Sequence, residues 1–279
     1  IYHKALALAS VGDFEAAEWA FEKVRDIAGT TAELEKLDED ATRGLARVMW
    51  HRGEYDRAAE LGDAALASAR QRGDVDAEAE SLWILGEVER MRGEGERAEE
   101  LYANSSERYR SLDSPVGLAR NLLSQAQLAR YHKNFEEAEQ LYRRALQRFQ
   151  NLGDRRGTGQ CYNGLGDISR SQGRYIDARD DYEYALDIYQ SIGAEYDVAV
   201  VFTNMGLTAI SLDEYEAAKS YLTPALDMVT GEEYPYLLAG IEFNLALVEF
   251  ELGRMDESRE VLENALQRAD RFPIPDVDY

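Results

Sequence analysis

Three arginines, Arg90, Arg130 and Arg170, stand 40 residues apart. If equivalent helices carry them, their guanidinium forks point one way and can each hold a carboxylate of an acidic segment. Neighbouring helices lie about 8–10 Å apart and an extended chain advances about 3.3 Å per residue, so such a ladder meets every third residue. Glu87 and Asp167, three residues before Arg90 and Arg170, offer the competing fate of ordinary pairs within a helix. The sequence leaves both readings open. Catalytic chemistry finds less material. His3, His51 and His132 have no partner at metal-ligand spacing, and the single thiol, Cys161, excludes an internal disulfide framework or a cysteine-rich zinc site. Gly157-Thr158-Gly159 and Gly164-Leu165-Gly166 follow no strand and fit neither phosphate-loop spacing. Asp38-Glu39-Asp40 lacks the glycine and terminal glutamate of a calcium loop. The expectation is no enzyme, no metal and no cofactor.

The chain has 279 residues, 31 basic and 54 acidic, for a net charge of −23. A field of that sign repels phosphate backbones and anionic lipid, which argues against nucleic-acid or membrane-surface binding. No apolar run approaches the roughly 20 residues of a membrane span. Only Lys4, Lys23, Lys36, Lys133 and Lys219 are lysines, and the arginine bias points to a GC-rich bacterial genome. Without disulfides or a signal pattern, a cytoplasmic location is expected. The chain opens on Ile1 rather than methionine, so it reads as a piece of a longer protein.

What must position these residues is a repeat. Gly53-Glu54-Tyr55, Gly93-Glu94-Gly95, Lys133-Asn134-Phe135, Gly173-Arg174-Tyr175, Asp213-Glu214-Tyr215 and Gly253-Arg254-Met255 recur with a period of 40, and Gly12-Asp13-Phe14 precedes them by 41. Three residues later comes a small side chain: Ala17, Ala58, Ala98, Ala138, Ala178, Ala218 or Ser258. Four further on stands a bulky one in most copies, such as Tyr102, Tyr142, Tyr182 or Leu222. Glycine suits the left-handed end of a helix, and a small residue lets two antiparallel helices cross closely. Each period is therefore predicted to be a helical hairpin. The hairpins are expected over roughly residues 1–30, 31–73, 74–113, 114–153, 154–193, 194–232 and 233–270, with 271–279 as a tail.

With Leu82-x-x-Leu85-Gly86, Tyr162-x-x-Leu165-Gly166 and Phe202-x-x-Met205-Gly206, this pattern resembles the tetratricopeptide repeat, W-x2-L-G-x2-Y followed by A-x3-F. The period is 40 rather than 34, the terminal proline is missing and the third aromatic is mostly replaced, which is similar to the long-helix subclass of bacterial regulators, kinesin light chains and Pins-type scaffolds. The resemblance implies an all-α, right-handed superhelical solenoid of about seven hairpins whose first helices line a concave groove.

On that face the resemblance places Trp50, Trp83 and the three arginines, then an apolar stretch of Leu207, Ile210, Phe243, Leu247 and Phe250. Phe272-Pro273-Ile274-Pro275 offers itself as a cover for that stretch; otherwise the stretch is an interface. Asn163, Asn204 and Asn244 fall on three successive first helices, where asparagines of peptide-binding relatives bond a ligand backbone. The function implied is a protein- or peptide-interaction scaffold in a bacterial multidomain signalling or regulatory protein. The alternative is a ligand-sensing domain whose groove controls an attached enzymatic or DNA-binding domain. The partner is expected to be a protein or peptide, acidic if the arginines are available to it, with self-association through the C-terminal apolar patch as a further expectation.

Overall fold

The structure, a computed structural model, describes residues 1–10, 12–28, 34–229 and 234–269. Those residues form helices α1 (Tyr2–Ser10), α2 (Phe14–Ala28), α3 (Glu35–His51), α4 (Tyr55–Arg72), α5 (Val75–Met91), α6 (Gly95–Ser111), α7 (Pro115–Tyr131), α8 (Phe135–Leu152), α9 (Arg155–Ser171), α10 (Tyr175–Ile192), α11 (Glu195–Ser211), α12 (Tyr215–Met228), α13 (Pro235–Glu251) and α14 (Met255–Ala269). No strand occurs among them. The fold is an all-α array of helical hairpins, in two compact units that divide between Arg144 and Ala145, inside α8. The proposed tail cover over 272–275 lies outside the described residues.

The turns fall where the 40-residue punctuation stands. Gly53, Gly93, Gly173 and Gly253 have φ of +75° to +80°, and Lys133 and Asp213 adopt the same left-handed conformation at 60° and 59°. That conformation costs a side-chain-bearing residue something, so the turn is imposed by the packing of the helices it joins. The second helices end with a second signal. Asp74, Ser114 and Asp154 cap α5, α7 and α9 by accepting from the N–H of Ala77 (3.1 Å), Gly117 (3.5 Å) and Gly157 (2.9 Å).

Within a hairpin the small residue and the aromatic do separate work. Ala58, Ala98, Ala178 and Ala218 are fully buried. Tyr102 and Tyr182 lie flat on Gly86 and Gly166, where a Cβ would come within 2.5 and 2.6 Å of the ring. Leu222 fills the same place on Gly206. In unit 1 the core runs through Phe21, Leu45 and Met49; in unit 2 it runs through Tyr182, Leu222 and Leu238. The first helices thereby hold a common register, and residues 40 apart occupy equivalent places on them.

Candidate functional site: the first-helix face

In unit 1 this face is closed by its own side chains. Arg43 bonds Asp40 at 2.6 Å and Glu80, on the next first helix, at 3.0 Å; Arg47 reaches the same Glu80 at 3.4 Å. Trp50 meets Trp83 edge-on at 5.6 Å. Trp83 donates its indole N–H to Ser124 Oγ at 2.9 Å, and Arg120 covers its ring at 4.8 Å. Trp83 is only 8% exposed. It is a structural wedge between first helices, not the presented groove aromatic expected from sequence.

Arg90 is equally committed. Its Nη2 donates to Glu87 Oε2 at 2.7 Å, and Glu87 Oε1 accepts from the Tyr102 hydroxyl at 2.8 Å. Burial opposes the Arg90 charge, but the Glu87 carboxylate more than offsets it and holds the guanidinium above its ordinary pKa. Burial and the same carboxylate push the Tyr102 phenol upward. This triad comes from one hairpin, with two members on α5 and one on α6. Arg130 is half-buried at the equivalent place on α7.

Unit 2 repeats the triad once. Tyr182 donates to Asp167 Oδ1 at 2.8 Å and accepts from Arg170 Nε at 3.4 Å. In the next hairpin the triad is gone: Leu207 and Ile210 on α11 and Leu222 on α12 stand at the places of Asp167, Arg170 and Tyr182. Leu207 and Ile210 are half-buried, while on α13 Phe243, Leu247 and Phe250 are 60%, 36% and 51% exposed. Their spacing of four and three residues puts them on one stripe of the helix.

The asparagines are engaged within the protein. Asn204 Nδ2 donates to Asn163 Oδ1 at 3.0 Å, and Asn244 Nδ2 donates to the carbonyl of Gly240, one turn back on its own helix, at 2.7 Å. Gly240 escaped sequence reasoning. The signal was the 40-residue register itself, which runs Glu80, Arg120, Gln160, Val200, Gly240.

Among the described residues no cluster of three or more histidine, cysteine or acidic side chains is placed to hold a metal ion. No described helix is long and apolar enough to cross a membrane. Cys161 is buried, and burial followed by the nearby Asp154 pushes its thiol up to about 12, far from a nucleophile's range.

The geometry has counterparts among solved structures. BtubC from P. vanneervenii aligns with a TM-score of 0.66 and 21% identity, covering 81% of this chain and 95% of that one. A Rap protein complexed with Competence and Sporulation Factor aligns at 0.74 and 16%, covering 96% and 75%. NprR in complex with its cognate peptide NprX aligns at 0.70 and 16%, covering 98% and 81%. At these identities the likeness is one of fold. A search of the curated proteins finds no match. Models of the tetratricopeptide repeat match residues 77–151, 117–191 and 157–231 in one form and 2–74 and 203–272 in another. With matches along nearly its whole length and hairpins packed tyrosine on glycine, the chain belongs to the tetratricopeptide repeat family.

Proposed function

We propose that this chain is a protein- or peptide-interaction module that holds its partner on the first-helix face of unit 2, within a larger bacterial regulatory or signalling protein in the cytoplasm. The observation that carries the reading is the stripe of Phe243, Leu247 and Phe250, exposed on a protein of net charge −23. Contiguous exposed apolar surface marks an interaction site. On the face of unit 1 the arginines Arg43 and Arg90 are held by Asp40, Glu80 and Glu87. Arg90 and Arg170 are drawn into carboxylate–tyrosine triads, so an acidic ligand would have to displace an internal carboxylate, and apolar contact is the stronger basis for recognition. The role is binding rather than catalysis. A sensing role is the second reading, favoured by the likeness in fold to NprR in complex with its cognate peptide and to a Rap protein complexed with Competence and Sporulation Factor.

The test is selection of peptides from a random library against the whole chain, followed by fluorescence polarisation. Ile210→Asp and Leu207→Asp are expected to weaken the selected peptides at least about tenfold, as loss of a central apolar contact does. Trp19→Ser, at an exposed place on α2, should leave them unchanged. Peptides indifferent to both aspartates while the helical circular dichroism is intact would overturn the reading.

A further inference from the structure

The link between α3 and α5 is an ion pair, Arg43 to Glu80 at 3.0 Å, 37 residues apart. Between α5 and α7 the same offset joins Trp83 to Arg120, and there the link is a cation over a ring. The guanidinium carbon lies 4.8 Å from the ring centroid. At this place the other first helices carry Asp40, Glu80, Gln160, Val200 and Gly240, so the cation is the exception. Its contact with Trp83 uses the face of the guanidinium, while the N–H donors lie along the edge. Arg43, Arg47 and Arg90 each hold a carboxylate. Arg120 is half-buried too, yet among the described residues no carboxylate stands within ion-pair distance of it, on a chain with 54 acidic side chains.

A second donor shares the place. Tyr109, on α6, is 4% exposed and lies flat on Gly117, where a Cβ would come within 2.4 Å of the ring. Phe149 does the same on Gly157, at 2.5 Å, with a ring and no hydroxyl. The packing therefore needs the ring and not the oxygen. The buried tyrosines Tyr102 and Tyr182 give their hydroxyls to Glu87 and Asp167. The hydroxyl of Tyr109 has no hydrogen-bond partner among the described residues, which is uncommon for a side chain so deeply buried. Burial pushes this phenol up to about 12. Of the charges that reach it, Arg120 acts most strongly and pulls it back, while Glu80 and Asp76 push it further up.

We propose that Arg120 and the Tyr109 hydroxyl form a seat for one carboxylate, the side chain of an aspartate or glutamate in a bound peptide. Trp83 is the platform that aims the guanidinium, and its own bond to Ser124 fixes it in place. The fork of an arginine matches the two oxygens of a carboxylate, and the phenol adds one more donor. Glu80 is neutralised by Arg43 and Arg47, but Asp76, exposed, still acts on the phenol. One positive charge in the field of Asp76, on a chain of −23, suits a single negative charge and disfavours the double charge of a phosphate. The seat belongs to unit 1 and needs nothing from the apolar stripe of unit 2.

The probe is a short capped peptide, alanine–leucine–glutamate–leucine–alanine, with glutamine and phosphoserine versions at its centre, titrated into the whole chain. The readout is the indole N–H resonance of Trp83 in nuclear magnetic resonance spectra, with exposed Trp19 as the internal comparison. The glutamate peptide is expected to move the Trp83 resonance and leave that of Trp19 in place. It should bind at least about tenfold more tightly than the glutamine peptide, as a hydrogen bond to a charged group allows. Arg120→Lys, which keeps the charge and loses the fork, and Tyr109→Phe, which keeps the ring, should each weaken it about fivefold with the thermal melt unchanged. Equal binding of the glutamate and glutamine peptides, or unchanged affinity in Arg120→Gln, overturns the proposal. So does tighter binding of the phosphoserine peptide, since the seat then takes a double charge. Binding lost in Arg120→Gln and kept in Ile210→Asp supports the seat whatever the outcome for the apolar surface. If Ile210→Asp abolishes it and Arg120→Gln does not, the peptide sits on unit 2 and the seat fails while the interaction face stands.

Discussion

Asn204 and Asn163 bond each other directly, amide to amide at 3.0 Å, across 41 residues of sequence and between successive first helices. Trp83 and Ser124 form the corresponding link in unit 1, also 41 residues apart. Both links tie a hairpin to the next one. Asn163→Ala and Asn204→Ala, combined in a double-mutant cycle of urea melts, should show a coupling of about 0.5–1.5 kcal/mol, the usual worth of a neutral hydrogen bond. Strict additivity would mean that the pair contributes nothing to stacking.

Tyr182→Phe removes the hydroxyl that satisfies buried Asp167 and leaves the ring on Gly166 in place. The expected loss is about 1.5–3 kcal/mol, the usual worth of a hydrogen bond to a charged group, read as a lower melting temperature. The triple change Arg90→Ala, Arg130→Ala, Arg170→Ala should destabilise the chain and leave apolar peptide affinity unchanged at both low and high salt. A salt-dependent loss of binding in that variant would restore the arginines to the ligand.

Ala178 is fully buried where α10 crosses α9. Ala178→Leu should overpack that crossing and cost about 1–3 kcal/mol. An unchanged thermal melt would mean that the crossing has room the structure does not show.

The carboxylate of Asp74 lies below its ordinary value, chiefly because it accepts the N–H of Ala77 at the start of α5. Its contribution is fully present above the ordinary carboxylate range near pH 4 and is lost as pH falls through the lowered value. Asp74→Ala should therefore cost about 1 kcal/mol at pH 7 and progressively less below pH 4. Equal destabilisation at pH 7 and pH 3, in urea melts, would contradict the cap.

The hairpins were legible because glycine, alanine and tyrosine recur at fixed places, and each carries a local geometric requirement that spacing reveals. The fate of Arg90 was half legible: Glu87 stands one helical turn away, but the Tyr102 hydroxyl arrives from the antiparallel helix and completes the triad only in three dimensions. Trp83 was misread for the same reason, since Ser124 and Arg120, which enclose it, belong to the next first helix. Asn163 and Asn204 stand 41 residues apart, one more than the period of 40. The bond they make joins neighbouring first helices at an offset of 41, the same offset as Trp83 and Ser124. Gly240 was overlooked because a glycine in a helix announces only a cost, and the space beside it, which no atom of the described residues enters within 4 Å of a built Cβ, shows only in three dimensions.

The triads also constrain how such a repeat can change. Glu87, Arg90 and Tyr102 are a closed set, and losing Glu87 or Arg90 alone strands a buried charge, commonly at about 3–5 kcal/mol. Leu207, Ile210 and Leu222, at the same three places, are an equally closed set with no charge at all. Stepwise drift between the two passes through mixed hairpins that are worse than either end. Because all three members sit on one hairpin, however, copying a hairpin entire moves the set intact. Duplication is the low-barrier route by which such a chain lengthens or alters its character, and single substitution is the steep one.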